Sequence, residues 1–187
     1  PDRYIKIEYK FEYDGNEEDA FKGIIYHLAQ DVNGNVSDKN IVNVTSSTFN
    51  KENYPKYAVE FEDKQNIFQS KSDPNAWLKY DFKSRKIRPT SYSIRTRPNG
   101  GRGNCHPRSW VIEGSNTGKE NSWKQLDSRN DVTILDDSDK VHNFNIQSEL
   151  EGLSTNLYQP LYKKFLSVFV HKLVPHFISS FFSLDKI

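Results

Sequence analysis

The sequence predicts an all-β protein, built as a sandwich or barrel. Three observations lead there. Short segments with period-two alternation recur along the chain, each bounded by Asn, Asp, Ser, Gly or Pro. No long segment carries a helical period. Apolar content is only 35%, yet aromatic residues reach 13%. A core made of Tyr, Phe and Trp suits sheets better than helices.

The elements follow in chain order. In "RYIKIEYKFEY" (3–13), Ile5, Ile7, Tyr9, Phe11 and Tyr13 share one face of a strand, and Asp14-Gly15-Asn16 ends it. "FKGIIYHLA" (21–29) reads as either a strand or a helical turn, and Asn33-Gly34-Asn35 is a turn. Strands are then expected at "IVNVT" (41–45), "YAVEF" (57–61), "WLKYDFK" (77–83), "SYSIRT" (91–96), "SWVIEG" (109–114), "DVTIL" (131–135) and "VHNFNI" (141–146). "GSNTG" (114–118) supplies turn chemistry after the Trp110 strand, since Asn closes Asx turns and Gly tolerates positive φ. Trp110 is expected in the core, and Trp77 in the core or, because the second face of its strand is the more apolar, at the sandwich rim.

Composition shifts near residue 148. "KKFLSVFVHKLVPHFISSFFSL" (163–184) is strongly apolar but broken by His171-Lys172 and Pro175-His176. It falls short of the roughly 20 nearly uncharged residues a membrane span needs. An amphipathic surface helix over 161–173 fits, ended by Pro175.

Three segments, taken in order, carry a resemblance: "IVNVTSSTF", "FQSKSDPNAWLKYDFKSRKIRPTSYSIRT" and "HPRSWVIEGSNTGKENSWKQLDSRND". They are similar to the discoidin-like family, the coagulation factor five/eight type C domain, which is related to galactose-binding-like jelly rolls and to one family of carbohydrate-binding modules. The match covers about residues 21–147. It looks closest to the intracellular branch found in protist multi-domain proteins and with BTB domains. The resemblance implies a discoidin-like jelly-roll β-sandwich over residues 1–147, with an atypical apolar C-terminal tail over 148–187. It also implies that Trp110 is core and that Trp123 begins the return strand. Family members close the sandwich with an Arg-rich aromatic strand, a Gln-Thr-Gly-like turn and a strand ending near Phe-Gly. Here "FNIQSELEG" runs instead into "LSTNLYQPLYKKFLSVF". The tail either forms the closing strands with unusual residues or replaces them, unless a shifted reading frame or mispredicted exon produced it. It is expected to pack poorly after about residue 150 and to offer apolar surface.

Catalysis finds little support. Cys105 and His106 are adjacent, so their side chains tend to diverge and do not make a dyad. His27, His106, His142, His171 and His176 lack zinc-ligand spacing. Asp136, Asp137 and Asp139 lack the Gly and terminal Glu of a helix-loop-helix calcium loop. Some discoidin-like relatives hold a structural calcium before the strand equivalent to "WLKYDFK"; Glu60, Glu62 and Asp63 give no clear match to it. The expectation is a protein that is not an enzyme and carries no cofactor or metal.

Net charge is +1, so no global field points to nucleic acid, and none is expected as partner. Charge is unevenly distributed, however. No acid lies between Asp81 and Glu113, while Lys83, Arg85, Lys86, Arg88, Arg95, Arg97, Arg102, Arg108 and His106 do. Solvated strand faces account for such a run. The functional reading places a polar or anionic ligand on the Gly-rich loop "RPNGGRGNCHPR" (97–108), with Arg95, Arg97, Arg102, His106 and Arg108 as ligand-binding residues. Arg grips carboxylate or phosphate with paired bonds, and Gly lets backbone approach the ligand. The expected function is non-catalytic recognition: a module binding a partner protein or ligand within a larger intracellular protein. The alternative is a carbohydrate- or anionic-lipid-binding module. One cysteine excludes an internal disulfide and favours a reducing, cytoplasmic location. The absence of Met predicts a start inside a longer reading frame or after processing. Asn35-Val36-Ser37 and Asn43-Val44-Thr45 match a glycosylation pattern that a chain this rich in Asn, Ser and Thr meets by chance.

Overall fold

The computed structural model describes residues 15–16, 19–60, 65–85, 87, 89–98 and 107–146, and the backbone of 167–173 and 183–185. Helix α1 spans Ile24–Val32. The strands are β1 (Asn43–Ser46), β2 (Ala76–Asp81), β3 (Ser91–Arg95), β4 (Trp110–Ser115), β5 (Lys124–Arg129), β6 (Val141–Asn145), β7 (Ser167–Leu173) and β8 (Ser183–Asp185). They form a five-stranded sheet, β1-β2-β7-β4-β5, and a three-stranded sheet, β6-β3-β8. Every pairing is antiparallel. The all-β sandwich expected from the sequence is the observed architecture.

Periodicity explains the strands. Along β2, Ala76, Leu78 and Tyr80 are buried, while Trp77, Lys79 and Asp81 are half-buried on the other face. Trp77 therefore lies outside the core, the second of its two expected positions: the apolar face of β2 is the even-numbered one, and Trp77 carries Lys79 Nζ 5.9 Å from its ring centroid. Trp110 and Ile112 point inward from β4, and Trp110 is core as expected. Trp123 immediately precedes β5, the return strand.

The core joins the two sheets through aromatic residues. The Tyr92 ring from β3 stacks on that of Phe144 from β6, with centroids 5.4 Å apart. Trp110 meets Phe144 edge-on at 5.1 Å. Trp110 Nε1 donates to the Tyr92 hydroxyl at 2.7 Å, which donates to Asp127 Oδ2 at 2.6 Å. Arg129 Nε donates to the same oxygen at 2.8 Å. A β5 bulge aims Asp127 inward. Pairing jumps from Ile112↔Asp127 to Glu113↔Gln125, leaving Leu126 unopposed. Leu126 and Asp127 are consequently both buried. Arg129 also donates to the Asn145 carbonyl and lies 5.4 Å from the Phe144 ring centroid, tying β5 to β6 across the sandwich edge.

Several expectations are corrected. The open segment 21–29 becomes helical: Ile24, Ile25, Leu28 and Ala29 make one apolar face against the core. Asn33, at φ 48°, ends the helix in the left-handed region. "YAVEF" is not a strand; Pro55–Val59 forms a 3-10 turn, with Pro55 in the first turn setting a helical φ. "DVTIL" is a loop, because Asp131 takes φ 50° and Asp136 N–H bonds back to the Thr133 carbonyl. Leu135 is still fully buried from that loop.

The C-terminal segment contributes two strands, whereas the sequence showed no legible closing strands there. β7 lies between β2 and β4, pairing Tyr80↔Val168 and Ile112↔Val170. β8 pairs with β3 at Ser93↔Ser183. Of the open readings of the tail, strand formation is the one observed at β7, in place of a surface helix there, since its backbone fills the middle of a sheet; the expected poor packing of the tail's side chains lies outside the described residues. The "RYIKIEYKFEY" strand lies outside the described residues.

Candidate functional site

Strand register decides which loops share an end. Ser46 at the end of β1 pairs with Leu78 near the start of β2. His171 of β7 pairs with both Trp77 and Val111, so β2 and β4 start at the same end. Trp110 pairs with Arg129, and Arg95 with Val141. Loop 47–54, the segment before β2, both roots of loop 97–108 and loop 130–140 therefore emerge on one rim. Rigid strands holding irregular loops to solvent make that rim the candidate recognition surface.

One corner of this rim is aromatic. Phe49 is 39% exposed and Tyr54 41%, and Tyr57 is half-buried. Phe49 and Tyr54 centroids lie 5.4 Å apart with planes at 48°; Tyr54 and Tyr57 lie 6.0 Å apart at 62°. The chain is pinned beneath them. Asn50 N–H donates to the Gln69 carbonyl at 2.8 Å, and Asn53 Nδ2 to Gln69 Oε1 at 2.8 Å. Lys71 N–H donates to Thr48 Oγ1 at 3.2 Å. Trp77 N–H donates to Ser47 Oγ at 3.0 Å, anchoring the loop to β2. Lys56 Nζ sits 5.6 Å from the Tyr57 centroid and pairs with Asp38 at 3.1 Å. That hydrogen bond to Asp38 raises the Lys56 pKa.

The opposite corner holds the basic residues singled out in the sequence. Arg95 is buried, with its guanidinium 5.4 Å from the Phe21 ring centroid. Burial lowers its pKa. It lies on the β3 face shared with Ser91 and Ser93. Arg97 is half-buried, and its carbonyl accepts from Asp139 N–H at 3.1 Å. Arg108 is exposed, yet bonds Asp136 Oδ2 at 2.5 Å and approaches Asp131 Oδ1 at 3.8 Å. Arg102 and His106 lie outside the described residues. The structure thus places Arg97 and Arg108 at the two roots of one loop, and supplies Arg108 with acids that the local sequence lacks.

Those roots are stitched to loop 130–140. Thr96 N–H donates to the Lys140 carbonyl at 2.9 Å, and Thr96 Oγ1 to the Asp137 carbonyl at 2.6 Å. Val132 N–H donates to the Arg108 carbonyl at 2.8 Å, and Ser109 Oγ to Asn130 Oδ1 at 2.9 Å. The acids here pair with Arg108 and cap turns. Among the described residues no group of three or more His, Cys, Asp or Glu could hold a metal ion. No described helix is long and apolar enough to cross a membrane.

Sequence reasoning missed Phe49 and Tyr54. The available signal was their setting: Thr48, Asn50, Lys51, Glu52 and Asn53 surround them without alternation, so neither ring had a buried strand face to occupy.

No family model matches the chain, and no curated protein matches it. Solved structures share its arrangement of strands. The Clostridium perfringens module CpGH89CBM32-6 superposes with a TM-score of 0.54 at 14% identity, over 82% of this chain and 99% of that one. CpGH89CBM32-5 from the same organism, in complex with GalNAc-beta-1,3-galactose, gives 0.51 at 15% identity, over 73% of this chain and 87% of that one. A mutant Ruminococcus gnavus GH29 fucosidase in complex with fucose gives 0.53 at 12% identity, over 86% of this chain and 28% of that one. With strands, register and these likenesses together, the chain has a jelly-roll β-sandwich fold, which these solved modules share.

Proposed function

We propose that this chain is a non-catalytic recognition module whose ligand is a glycan. The observation that carries the reading is the exposed Phe49–Tyr54 pair on the loop rim of this fold. Sugars present C–H faces that stack on aromatic rings, and hydroxyl edges that need polar partners. A surface with two accessible rings over a hydrogen-bonded loop suits the first requirement. Arg97 and Arg108 are the proposed polar contacts on the other corner of the rim, and Arg102 and His106, which fall between them in sequence, are proposed as ligand-binding residues with them. The two corners stand three strand spacings apart, roughly 14 Å, so a short ligand engages one of them. Arg95, being buried, acts in this reading by supporting the β3 end of the loop rather than by reaching a ligand.

A glycan array followed by calorimetric titration tests the proposal. Phe49→Ala and Tyr54→Ala should each lose about 1–2 kcal/mol of binding, roughly five- to thirtyfold. Binding through the rings should be nearly insensitive to salt. Binding through the arginines should weaken as salt is raised and in the Arg97→Ala, Arg108→Ala double variant. A folded protein that binds no glycan refutes the proposal. Capture of a specific protein partner would instead support a module of the intracellular, BTB-associated kind, with a cytoplasmic location. Flotation with anionic liposomes would support a lipid ligand.

A further inference from the structure

We infer that the aromatic corner takes a single soluble glycan chain of at least two pyranose units, rather than a lone terminal sugar or the flat face of an insoluble polysaccharide. This rests on the glycan reading above and adds the size and shape of its ligand.

Ring geometry carries the argument. A pyranose is about as large as one aromatic ring, so one sugar covers one ring. Phe49 and Tyr54 have centroids 5.4 Å apart and are both exposed. Covering both therefore takes two consecutive sugars, and a monosaccharide leaves one ring in water. Tyr57 lies 6.0 Å from Tyr54, but Lys56 lies over it and it is half-buried, so it is not counted among the ligand-facing rings.

Tilt decides against a crystalline face. A flat array of chains rests on coplanar rings. The planes here turn by 48° and then by 62°. Only a ligand that rotates from one unit to the next can face both exposed rings, which a free oligosaccharide does about its glycosidic bonds. The loop is also held in place: Asn50, Asn53 and Thr48 are bonded to Gln69 and Lys71, which fixes the backbone from which the two rings project.

The test is an array carrying mono- to tetrasaccharides of galactose, glucose, mannose and N-acetylglucosamine, with retention on insoluble cellulose and chitin measured alongside. Within the series that binds, affinity should rise about tenfold or more from one unit to two, and little after three. Phe49→Ala should abolish that rise while circular dichroism shows the sheet intact. Equal affinity for the monosaccharide and its oligomers overturns the inference and leaves the glycan reading standing, as does strong retention on the insoluble polymers. Silence across the whole array overturns the glycan reading itself.

Discussion

Replacing Tyr92 by Phe should cost far more than one hydroxyl group suggests. The ring remains, so its stacking on Phe144 and its contact with Trp110 are kept. What goes is the oxygen that accepts from Trp110 Nε1 at 2.7 Å and donates to Asp127 Oδ2 at 2.6 Å. Trp110 is 1% exposed and Asp127 2%, so water cannot replace it. A lost hydrogen bond to a charged acceptor costs about 1.5–3 kcal/mol, and a buried donor left unpaired about 1–3 kcal/mol. Both losses sit on one atom and overlap, so a total of about 3–4 kcal/mol is expected. Asp127 keeps Arg129 and stays neutralised, which holds the figure below that of an uncompensated buried charge.

Urea denaturation followed by far-UV circular dichroism measures this directly. The midpoint should fall with an unchanged m-value, because the surface exposed on unfolding is the same. A cycle with Asp127→Asn should show coupling of about 1 kcal/mol or more. A loss below about 1 kcal/mol for Tyr92→Phe, or additive effects in the cycle, would refute the claim that this hydroxyl links the two sheets.

Two further outcomes follow from the same core and from the topology. Burial pushes the hydroxyls of Tyr80 and Tyr92 above the ordinary 10.0, and Asp127 adds to the effect at Tyr92. The folded protein then retains protons that the unfolded chain releases, so stability is intact below about pH 10 and falls as pH rises beyond it. Tyrosinate absorbance should show part of the ten tyrosines ionising only with unfolding, and uniform titration of all ten in the folded state would contradict this. Truncation at Gly152 removes β7 from between β2 and β4, which should abolish cooperative unfolding and the sheet signal, whereas a truncated protein with full sheet signal would show β7 to be dispensable.

How legible the fold was depends on where each strand sits. "WLKYDFK" and "SWVIEG" each gave a strand because alternating burial leaves a period of two, whereas "SYSIRT", buried throughout, and "VHNFNI" were legible from strand-favouring residues bounded by turn residues. β7 has hydrogen-bonded neighbours on both sides, and its sequence "SVFVHKL" holds a short apolar run, Val168-Phe169-Val170, followed by His171-Lys172, with no period of two. Such a run cannot be told from a helix by periodicity, and the surrounding apolar composition pointed to a surface helix. Two segments of strand-like composition failed for local reasons. Pro55 starts a helical turn in one, and Asp131 at φ 50° breaks the extended chain in the other.

The proposed site was legible in the sequence only as charge. Arg97 and Arg108 stand out because no acid is near them in sequence. In space, β4–β5 pairing brings Asp131 and Asp136 to Arg108 from more than 20 residues away. Such pairing depends on register, which composition does not encode. The rings of Phe49 and Tyr54 have the opposite character, since only the lack of alternation around them separates these exposed aromatics from core ones in the sequence. What marks them is that the pinned loop gives them no interior to enter. Bonds from Gln69, Lys71 and Trp77 hold that loop, as bonds from Lys140, Asp137 and Asn130 hold the roots of the basic one. A rim fixed in this way loses little conformational freedom when a ligand arrives. That lets a shallow surface of two rings serve for recognition without a deep pocket, and it makes the pinning bonds as much a part of the proposed site as the rings.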